Sequence, residues 1–287
     1  MFKSVLVPLD GSPRSERILL WLRPLLKPGA TLWLFHCIPG RGAVPEAPGS
    51  GRFQSIKQAE TYLENLRNWL ALTGKAVVRV GPPADRIVTA SLELDVDLVA
   101  LAVDPARDSA TPIGHVNEAI ARACPKPVLF IKPETPTLRQ GVRRVLFPVD
   151  ETGGAWEHFD VVRTLTAGLG AESVFLHTQA SELDGDLGAD LLPSVFSNSA
   201  AVRLDLIRCV QKLQREGIVA RAIVTTGDKL TETLGHEQSL DADLIALGKE
   251  GHRDVHRWRP VVASSRRAVL LFERTPQEAA LSPMKKA

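Results

Sequence analysis

Two aspartates stand at the ends of matching octapeptides. Asp10 ends KSVLVPLD and Asp150 ends RRVLFPVD, 140 positions later (150 − 10). Each follows a short apolar run of the kind that forms a strand buried on both faces of a sheet. At the carboxyl end of such a strand, an aspartate can accept hydrogen bonds from an adenine amino group or a ribose hydroxyl. The alternative is a helix N-cap, because Asp10 and Ser12 precede Pro13, which suits the first turn of a helix. The residues leave both roles open.

A second candidate site begins where the apolar run DADLIALG ends. Gly248 closes that run, Gly251 follows it, and Ser264 and Ser265 add hydroxyl groups further on. Glycines allow backbone N–H groups to turn toward a phosphate, and Lys249 adds positive charge. We expect these five residues to contact the phosphates of a ligand, although two glycines three positions apart are common in loops that follow strands.

The corresponding segment of the first half is a poor cradle for an anion. Ala102 and Pro105 stand where the second half has its two glycines, and Asp104 lies between them. Proline has no N–H to donate and its φ is fixed, and a carboxylate repels phosphate. We therefore expect this loop to bind anions poorly.

The chain repeats itself block by block. Three further blocks of the first half recur in the second, at offsets of 141 (172 − 31), 146 (241 − 95) and 141 (268 − 127). Blocks in the same order, with small insertions between them, indicate a duplicated domain, and the period is far too long for a solenoid. The pairs are TLWLFH (31–36) with ESVFLH (172–177), DVDLVALA (95–102) with DADLIALG (241–248), and PVLFIKP (127–133) with AVLLFER (268–274).

Strand-like and helix-like patterns alternate within each half. The apolar blocks indicate buried strands, and helical stripes lie between them. In the first half the stripe is Ile56, Ala59, Leu63, Leu66 and Leu70, and in the second it is Val202, Leu206, Cys209 and Leu213, each with steps of three and four. Strands separated by helices require right-handed crossovers and a parallel sheet. The predicted fold class is α/β, with two tandem open sheets, each of about five mainly parallel strands with helices on both faces.

The duplication also sets the predicted domain boundaries. The first domain is expected to span residues 1–133 and the second residues 142–274. The prolines and polar residues of 134–141 break both periodic patterns, which indicates a linker. Residues 275–287 are expected to form a flexible tail.

Composition excludes several classes of protein. A net charge of +2 and a pI near 8.5 are too mild for a nucleic-acid-binding surface. The chain start lacks the pattern of a signal peptide, and no apolar run approaches the ~18 residues that cross a bilayer. The spacing of the three cysteines suits neither a disulfide framework nor a zinc site. We expect a cytoplasmic protein without a metal site and without nucleic-acid or membrane partners.

Taken together, the motifs resemble those of the universal stress protein family, in a tandem form. VLVPLDGS, the pair DLVALA and DLIALG, the glycine loop and PKPVLFIKP occur in the family's order, and the set occurs twice. The resemblance covers about residues 2–132 and 142–274, and it implies a Rossmann-like sheet of five parallel strands in each domain. It also implies that the last strands of the two domains pair, since an uncovered apolar edge invites another strand, and we expect a pseudo-twofold arrangement of the two domains within one chain. A homodimer is compatible with the resemblance but does not follow from the sequence.

The resemblance also assigns site residues. Members of the family that bind ATP have a phosphate loop of the form G-x2-G-x9-G-[ST], and their first-strand aspartate, here Asp10 or Asp150, faces the nucleoside. The first domain keeps only Gly114 of this loop and has His115 in place of the hydroxyl residue.

The second domain keeps more of the phosphate loop. Gly248 and Gly251 match its first two glycines, but Val261 and Val262 occupy its last two positions. Ser264 and Ser265 replace them only if the loop is a few residues longer.

Two functions of different classes follow from these residues. The first is a stress-response protein that binds ATP or another adenine nucleotide, with or without Mg²⁺, as a regulatory ligand in the second domain. No residue supplies a defined general base, so we predict no catalytic residue and at most slow hydrolysis of ATP. The second is a scaffold that binds no nucleotide and acts through partner proteins of unknown identity. The incomplete loop of the first domain favours the scaffold.

Overall fold

The structure is a computed structural model of the chain. It describes residues 2–40, 53, 55–69, 73–103, 112–138, 140–149, 156, 159–179, 192–249 and 255–273, with the backbone alone for 192–199.

The first half contains five strands and five helices among the described residues. They follow the chain as β1 (Phe2–Pro8), α1 (Pro13–Glu16), α2 (Ile18–Leu22), β2 (Leu26–Ile38), α3 (Ile56–Trp69), β3 (Gly74–Val80), α4 (Pro83–Glu93), β4 (Leu98–Ala102), α5 (His115–Ala123) and β5 (Val128–Ile131).

The second half repeats this alternation within the described residues. Its elements are β6 (Arg144–Val149), α6 (Phe159–Leu169), β7 (Glu172–Gln179), α7 (Leu192–Arg215), β8 (Ala220–Thr226), α8 (Lys229–Ser239), β9 (Leu244–Lys249), α9 (Val255–Ser264) and β10 (Ala268–Glu273).

The described strands form one sheet of ten, in the order β3-β2-β1-β4-β5-β10-β9-β6-β7-β8. Each half contributes five parallel strands, with the first strand of the half at the point where strand order reverses. The halves join through β5 and β10, which pair antiparallel with Leu129 opposite Leu270. The α/β fold class is confirmed, and the two predicted sheets are the halves of one continuous sheet.

Helices cover both faces of the sheet, as predicted. One apolar cluster lies under α2, α3, α6 and α7, and a second lies under α4, α5 and α9. Both clusters include residues from both halves of the chain. Burial of apolar surface is the main driving force for folding, and here it acts across the join as well as within each half.

The helical stripes account for the packing of the longer helices. Val202, Leu206, Cys209 and Leu213 of α7 are all buried, as their spacing predicts. In α3 the predicted stripe holds for Ala59, Leu63 and Leu66, but Ile56 is 49% exposed because it is the first residue of the helix and lies beyond the edge of the core. Leu70, the last member of that stripe, lies outside the described residues. Within the described part of the chain, no helix has the length and apolar character needed to cross a bilayer.

Candidate ligand cavity of the second domain

A cavity of about 390 Å³ opens at the carboxyl ends of β6 and β9. These strands are neighbours in the sheet although they are far apart in the sequence. The cavity therefore lies where strand order reverses, which is the usual position of ligands in open α/β sheets. Its volume falls within the range of about 300–1,000 Å³ typical of small-molecule sites.

The floor and one wall of the cavity are apolar. Trp258 of α9 is almost fully buried and presents part of its surface to the cavity. Apolar side chains from the strand ends and from α8 surround it, and they suit the face of a flat heterocycle. The apolar lining consists of Pro148, Val149, Leu176, Leu230, Leu247, Trp258, Pro260 and Val261.

The rim of the cavity is polar and mainly basic. Lys229 is the first residue of α8, and His256 and Arg257 lie in the first turn of α9. The amino-terminal end of α8 adds the partial positive charge of its unsatisfied N–H groups. Asp228 is the acidic group of the rim, and Thr178 and Thr233 complete the polar lining. Such a rim favours a ligand that carries negative charge.

The acidic residue of the rim serves the helix beside it. Asp228 is the N-cap of α8, and its Oδ1 accepts hydrogen bonds from the backbone N–H and the hydroxyl of Thr231, both at 2.8 Å. The backbone bond first, and then the hydroxyl bond, hold the pKa of Asp228 below its usual value. The preceding Gly227 has a φ of +146°, a backbone conformation that side-chain-bearing residues avoid. This turn fixes the start of α8 at the mouth of the cavity.

The described residues contain no group of three or more His, Cys, Asp or Glu side chains that could bind a metal ion. Of the residues predicted to bind nucleotide in the second domain, Gly248 lines the cavity. Asp150 and Gly251 lie outside the described residues.

Lys249 does not face the cavity, contrary to the prediction that it contacts phosphate. Its side chain is fully buried, and its Nζ donates hydrogen bonds to the carbonyl oxygens of Ala121 at 2.8 Å and Cys124 at 2.7 Å. Nζ also lies 3.0 Å from Oε1 of Glu273. Lys249 shares a face of β9 with Leu247, which lines the cavity, but its long side chain extends to the end of α5 in the first domain.

Ser264 and Ser265 are also placed elsewhere than predicted. They lie at the end of α9, immediately before β10, whereas Gly248 lies near the carboxyl end of β9. Because β9 and β10 are parallel, the start of β10 is at the opposite edge of the sheet from the end of β9. Ser265 is buried, and its hydroxyl oxygen accepts a hydrogen bond from the backbone N–H of Arg267 at 3.0 Å. Neither serine joins Gly248 at a common site.

In the first domain, Asp10 and Ser12 organise the start of α1. Oδ1 of Asp10 accepts hydrogen bonds from the backbone N–H of Ser12 at 2.8 Å and from the hydroxyl of Ser15 at 2.6 Å. Ser12 is the N-cap, and its Oγ accepts a bond from the N–H of Ser15. Asp10 was predicted either to contact a ligand or to cap a helix, and these hydrogen bonds correspond to a role at the start of the helix.

Gly114 is the N-cap of α5 and has a φ of +85°. Its carbonyl oxygen accepts a hydrogen bond from the N–H of Glu118 at 3.0 Å. The residue thus starts the helix that follows the degenerate loop, whose residues 104–111 lie outside the described part of the chain.

Sequence patterns did not identify most of the cavity lining. Thr178, Lys229, Arg257 and Trp258 come from three different elements, and only the fold brings them together. One signal was available: Asp228 is a favourable N-cap residue directly before a helical pattern, which marks the start of a helix.

The fold and the cavity define a class of protein: an open α/β domain that is present twice in one chain, with a crevice at the switch point of the second copy. Residues 1–132 match the family model described as "Universal stress protein family". The match covers the first domain, and the second domain repeats the fold of the first.

Two solved structures match over nearly the whole chain. A universal stress protein from Archaeoglobus fulgidus has 19% identity and a TM-score of 0.66, over 96% of this chain and 97% of that one. A putative universal stress protein from Pseudomonas aeruginosa has 14% identity and a TM-score of 0.62, over 95% and 93% of the two chains. At these identities the similarity shows the tandem fold. No curated protein matches the chain.

Proposed function

We propose that the second domain binds an adenine nucleotide, such as ATP or AMP, as a regulatory ligand of a stress-response protein. The observation that carries this proposal is the cavity at the ends of β6 and β9, which combines an apolar wall with a basic rim. The apolar wall suits the base, and Lys229, His256 and Arg257 suit phosphate, with the amino terminus of α8 beside them. The proposal covers the nucleotide with or without Mg²⁺, which would be held mainly by the phosphates of the ligand.

The state of the cysteines supports a reducing compartment such as the cytoplasm for this protein. Burial raises the pKa of the Cys37 thiol to about 11 and that of the Cys209 thiol to about 12. Cys124 is fully buried, and all three cysteines are free. Such thiols remain protonated and pack as small apolar side chains.

The experiment is thermal unfolding of the full chain with ATP, ADP and AMP, each with and without Mg²⁺. A ligand at one hundred times its Kd adds about 2.7 kcal/mol of stability, which raises Tm by several degrees. Arg257→Glu and Lys229→Glu should each lower the apparent affinity for the nucleotide at least tenfold, and the Tm shift should shrink accordingly. Lys229→Glu should still fold, because an acidic residue at the start of a helix is favourable.

The control is Arg208→Glu, which makes the same change of charge on α7, where Arg208 is 59% exposed and pairs with Asp205. It should leave the shift unchanged. If Arg208→Glu and Arg257→Glu lowered the nucleotide-induced Tm shift equally, the effect would be explained by net charge alone, and the cavity would not be the site.

A second function, a scaffold that binds no nucleotide, is favoured by a specific observation. Three of the predicted phosphate contacts, Lys249, Ser264 and Ser265, point away from the cavity or lie at the other edge of the sheet. The same thermal experiment separates the two functions. If millimolar nucleotides leave Tm unchanged, the scaffold is the better explanation.

A further inference from the structure

The join between the two halves has local pseudo-twofold symmetry. Leu129 and Leu270 pair at its centre, and they differ by 141 positions (270 − 129). The same offset holds at the ends of the neighbouring helices. The N–H of Cys124 donates to the carbonyl of Ile120, and the N–H of Ser265 donates to that of Val261. Both donors and both acceptors differ by 141 positions (265 − 124 and 261 − 120). Positions that differ by 141 are therefore structurally equivalent across this seam, defined here as β5 and α5 against β10 and α9.

One pair of equivalent positions carries opposite charges and is in contact. Glu118 of α5 and Arg259 of α9 differ by the same offset (259 − 118 = 141), and Nη1 of Arg259 lies 3.5 Å from Oε1 of Glu118. Glu118 is only 8% exposed, and Arg122, on its own helix, lies 4.0 Å from its other oxygen. The carboxylate is thus partly withdrawn from water and balanced by a cation from the other domain.

A second contact across the seam also depends on unlike partners. The rings of Phe130 and Trp258 stack with centroids 6.4 Å apart and planes inclined by 12°. The position equivalent to Trp258 is Asn117 (258 − 117 = 141), and that equivalent to Phe130 is Leu271 (271 − 130 = 141). Two first domains paired through this surface would set Asn117 against Phe130, and two second domains would set Trp258 against Leu271. The ring pair forms only between unlike domains.

We propose that the seam is an interaction surface specific for an unlike partner. The first domain fits a domain with a cation at the position of Arg259, and the second fits a domain with an acid at that of Glu118. Pairing of like domains from two copies of the chain would bring together either two carboxylates at the buried position of Glu118 or two guanidinium groups at the half-buried position of Arg259, and contact between like charges is unfavourable. The surface thereby pairs each domain with an unlike one, and the linker gives the other domain of the same chain the highest effective concentration.

The test uses charge reversals in the full chain. Glu118→Arg creates the arginine pair of two second domains, and Arg259→Glu creates the carboxylate pair of two first domains. We expect each to lower the urea midpoint and to speed amide hydrogen exchange in β5 and β10 by about tenfold. The double reversal, Glu118→Arg with Arg259→Glu, restores complementarity and should bring both measures back toward the wild type.

Two further variants keep the test informative if a reversal fails to fold. Glu118→Gln and Arg259→Gln remove one charge without creating repulsion, so each should cost less than the matching reversal. As a control, Glu93→Arg breaks the exposed pair of Arg79 and Glu93, whose atoms lie 3.4 Å apart, and it should leave exchange at the seam unchanged. A double reversal no better than the sum of the single ones, or neutral variants as costly as the reversals, would overturn the proposal.

Discussion

Lys249 is a buried cation whose three partners all lie at the seam. The last carbonyl groups of a helix have no partners within the helix and carry partial negative charge. Lys249 supplies donors to two of them at the end of α5, and Glu273 balances its charge. On the other side of the seam, Lys132 does the same for α9, with Nζ at 2.6 Å from the carbonyl of Ala263 and 2.7 Å from that of Ser265. Each helix end at the seam therefore receives one ammonium group from the opposite domain.

Replacing Lys249 should harm stability and leave ligand binding intact. Lys249→Met would remove the donor to two carbonyls and the cation beside the carboxylate of Glu273, so we expect a loss of about 2–3 kcal/mol in the free energy of unfolding. The Tm shift produced by ATP should be the same as in the wild type, because the ammonium group is bound at the end of α5 and does not line the cavity. Urea unfolding and the thermal shift measure the two effects separately.

Lys126→Met is the control for this substitution. Lys126 also lies near the seam, but it pairs at 2.6 Å with Asp95, whose side chain is 90% exposed, and exposed pairs contribute little. A loss of the ATP shift in Lys249→Met with normal stability would show that Lys249 binds the ligand after all.

The placement of single residues was only partly predictable from the sequence. Leu247 and Lys249 share one face of β9, and Leu247 lines the cavity, but the sequence does not show that the lysine extends to the end of α5 in the other half. For Ser264 a physical constraint was available. It lies ten residues into α9, and at about 1.5 Å per residue the helix carries it about 15 Å from the cavity end.

At the scale of elements, periodicity predicted the existence of helices and strands better than their ends. The stripe of α7 is buried as expected. The strand expected at residues 31–36 is instead β2, which starts at Leu26. Leu26 pairs with Phe2, and the register then shifts, so that Ser4 pairs with Thr31. Pro28 and Gly29 lie in the extra stretch, and these residue types normally indicate a turn, which hid the start of the strand.

Two glycines on helices should respond in opposite ways to substitution. Gly235 lies inside α8, and a Cβ built on it meets no atom within 4 Å. Gly235→Ala should therefore stabilise the protein by about 0.5–1 kcal/mol, since alanine is the better helix former.

Gly114 also has open space around it, but its φ of +85° strains any side chain. Gly114→Ala should cost about 1 kcal/mol or more. Urea midpoints of the two variants measure the contrast, and a gain in both would show that the start of α5 is not held at positive φ.

At the scale of the whole molecule, the sequence showed the duplication directly but not how the copies meet. Offsets between repeated blocks depend on the chain alone. The pairing of β5 with β10 depends on two edges and their register, and no periodic pattern within either strand specifies it. Only the family resemblance implied that the last strands associate, and the charges at Glu118 and Arg259 gain their meaning from the paired structure.

The continuous sheet should make the two domains unfold together. Both apolar clusters extend through the two halves, and β5 and β10 are buried strands in the middle of the sheet. Separating the domains would expose these strand edges to water, so a half-unfolded species is unfavourable.

We therefore expect a single transition in urea, with coincident curves from tryptophan fluorescence and far-UV circular dichroism. The five tryptophans report on both halves, since Trp21, Trp33 and Trp69 belong to the first and Trp156 and Trp258 to the second. Two separate transitions would show that the seam contributes little to stability.

The antiparallel pairing of β5 with β10 also sets the geometry of communication with other molecules. It turns the second half end over end relative to the first, so the strands of the two halves terminate at opposite poles of the molecule. A rigid partner bound over the cavity at one pole cannot also contact the other pole. Ligands bound at the two poles would therefore affect different partner molecules, and any coupling between the poles has to pass through the sheet itself.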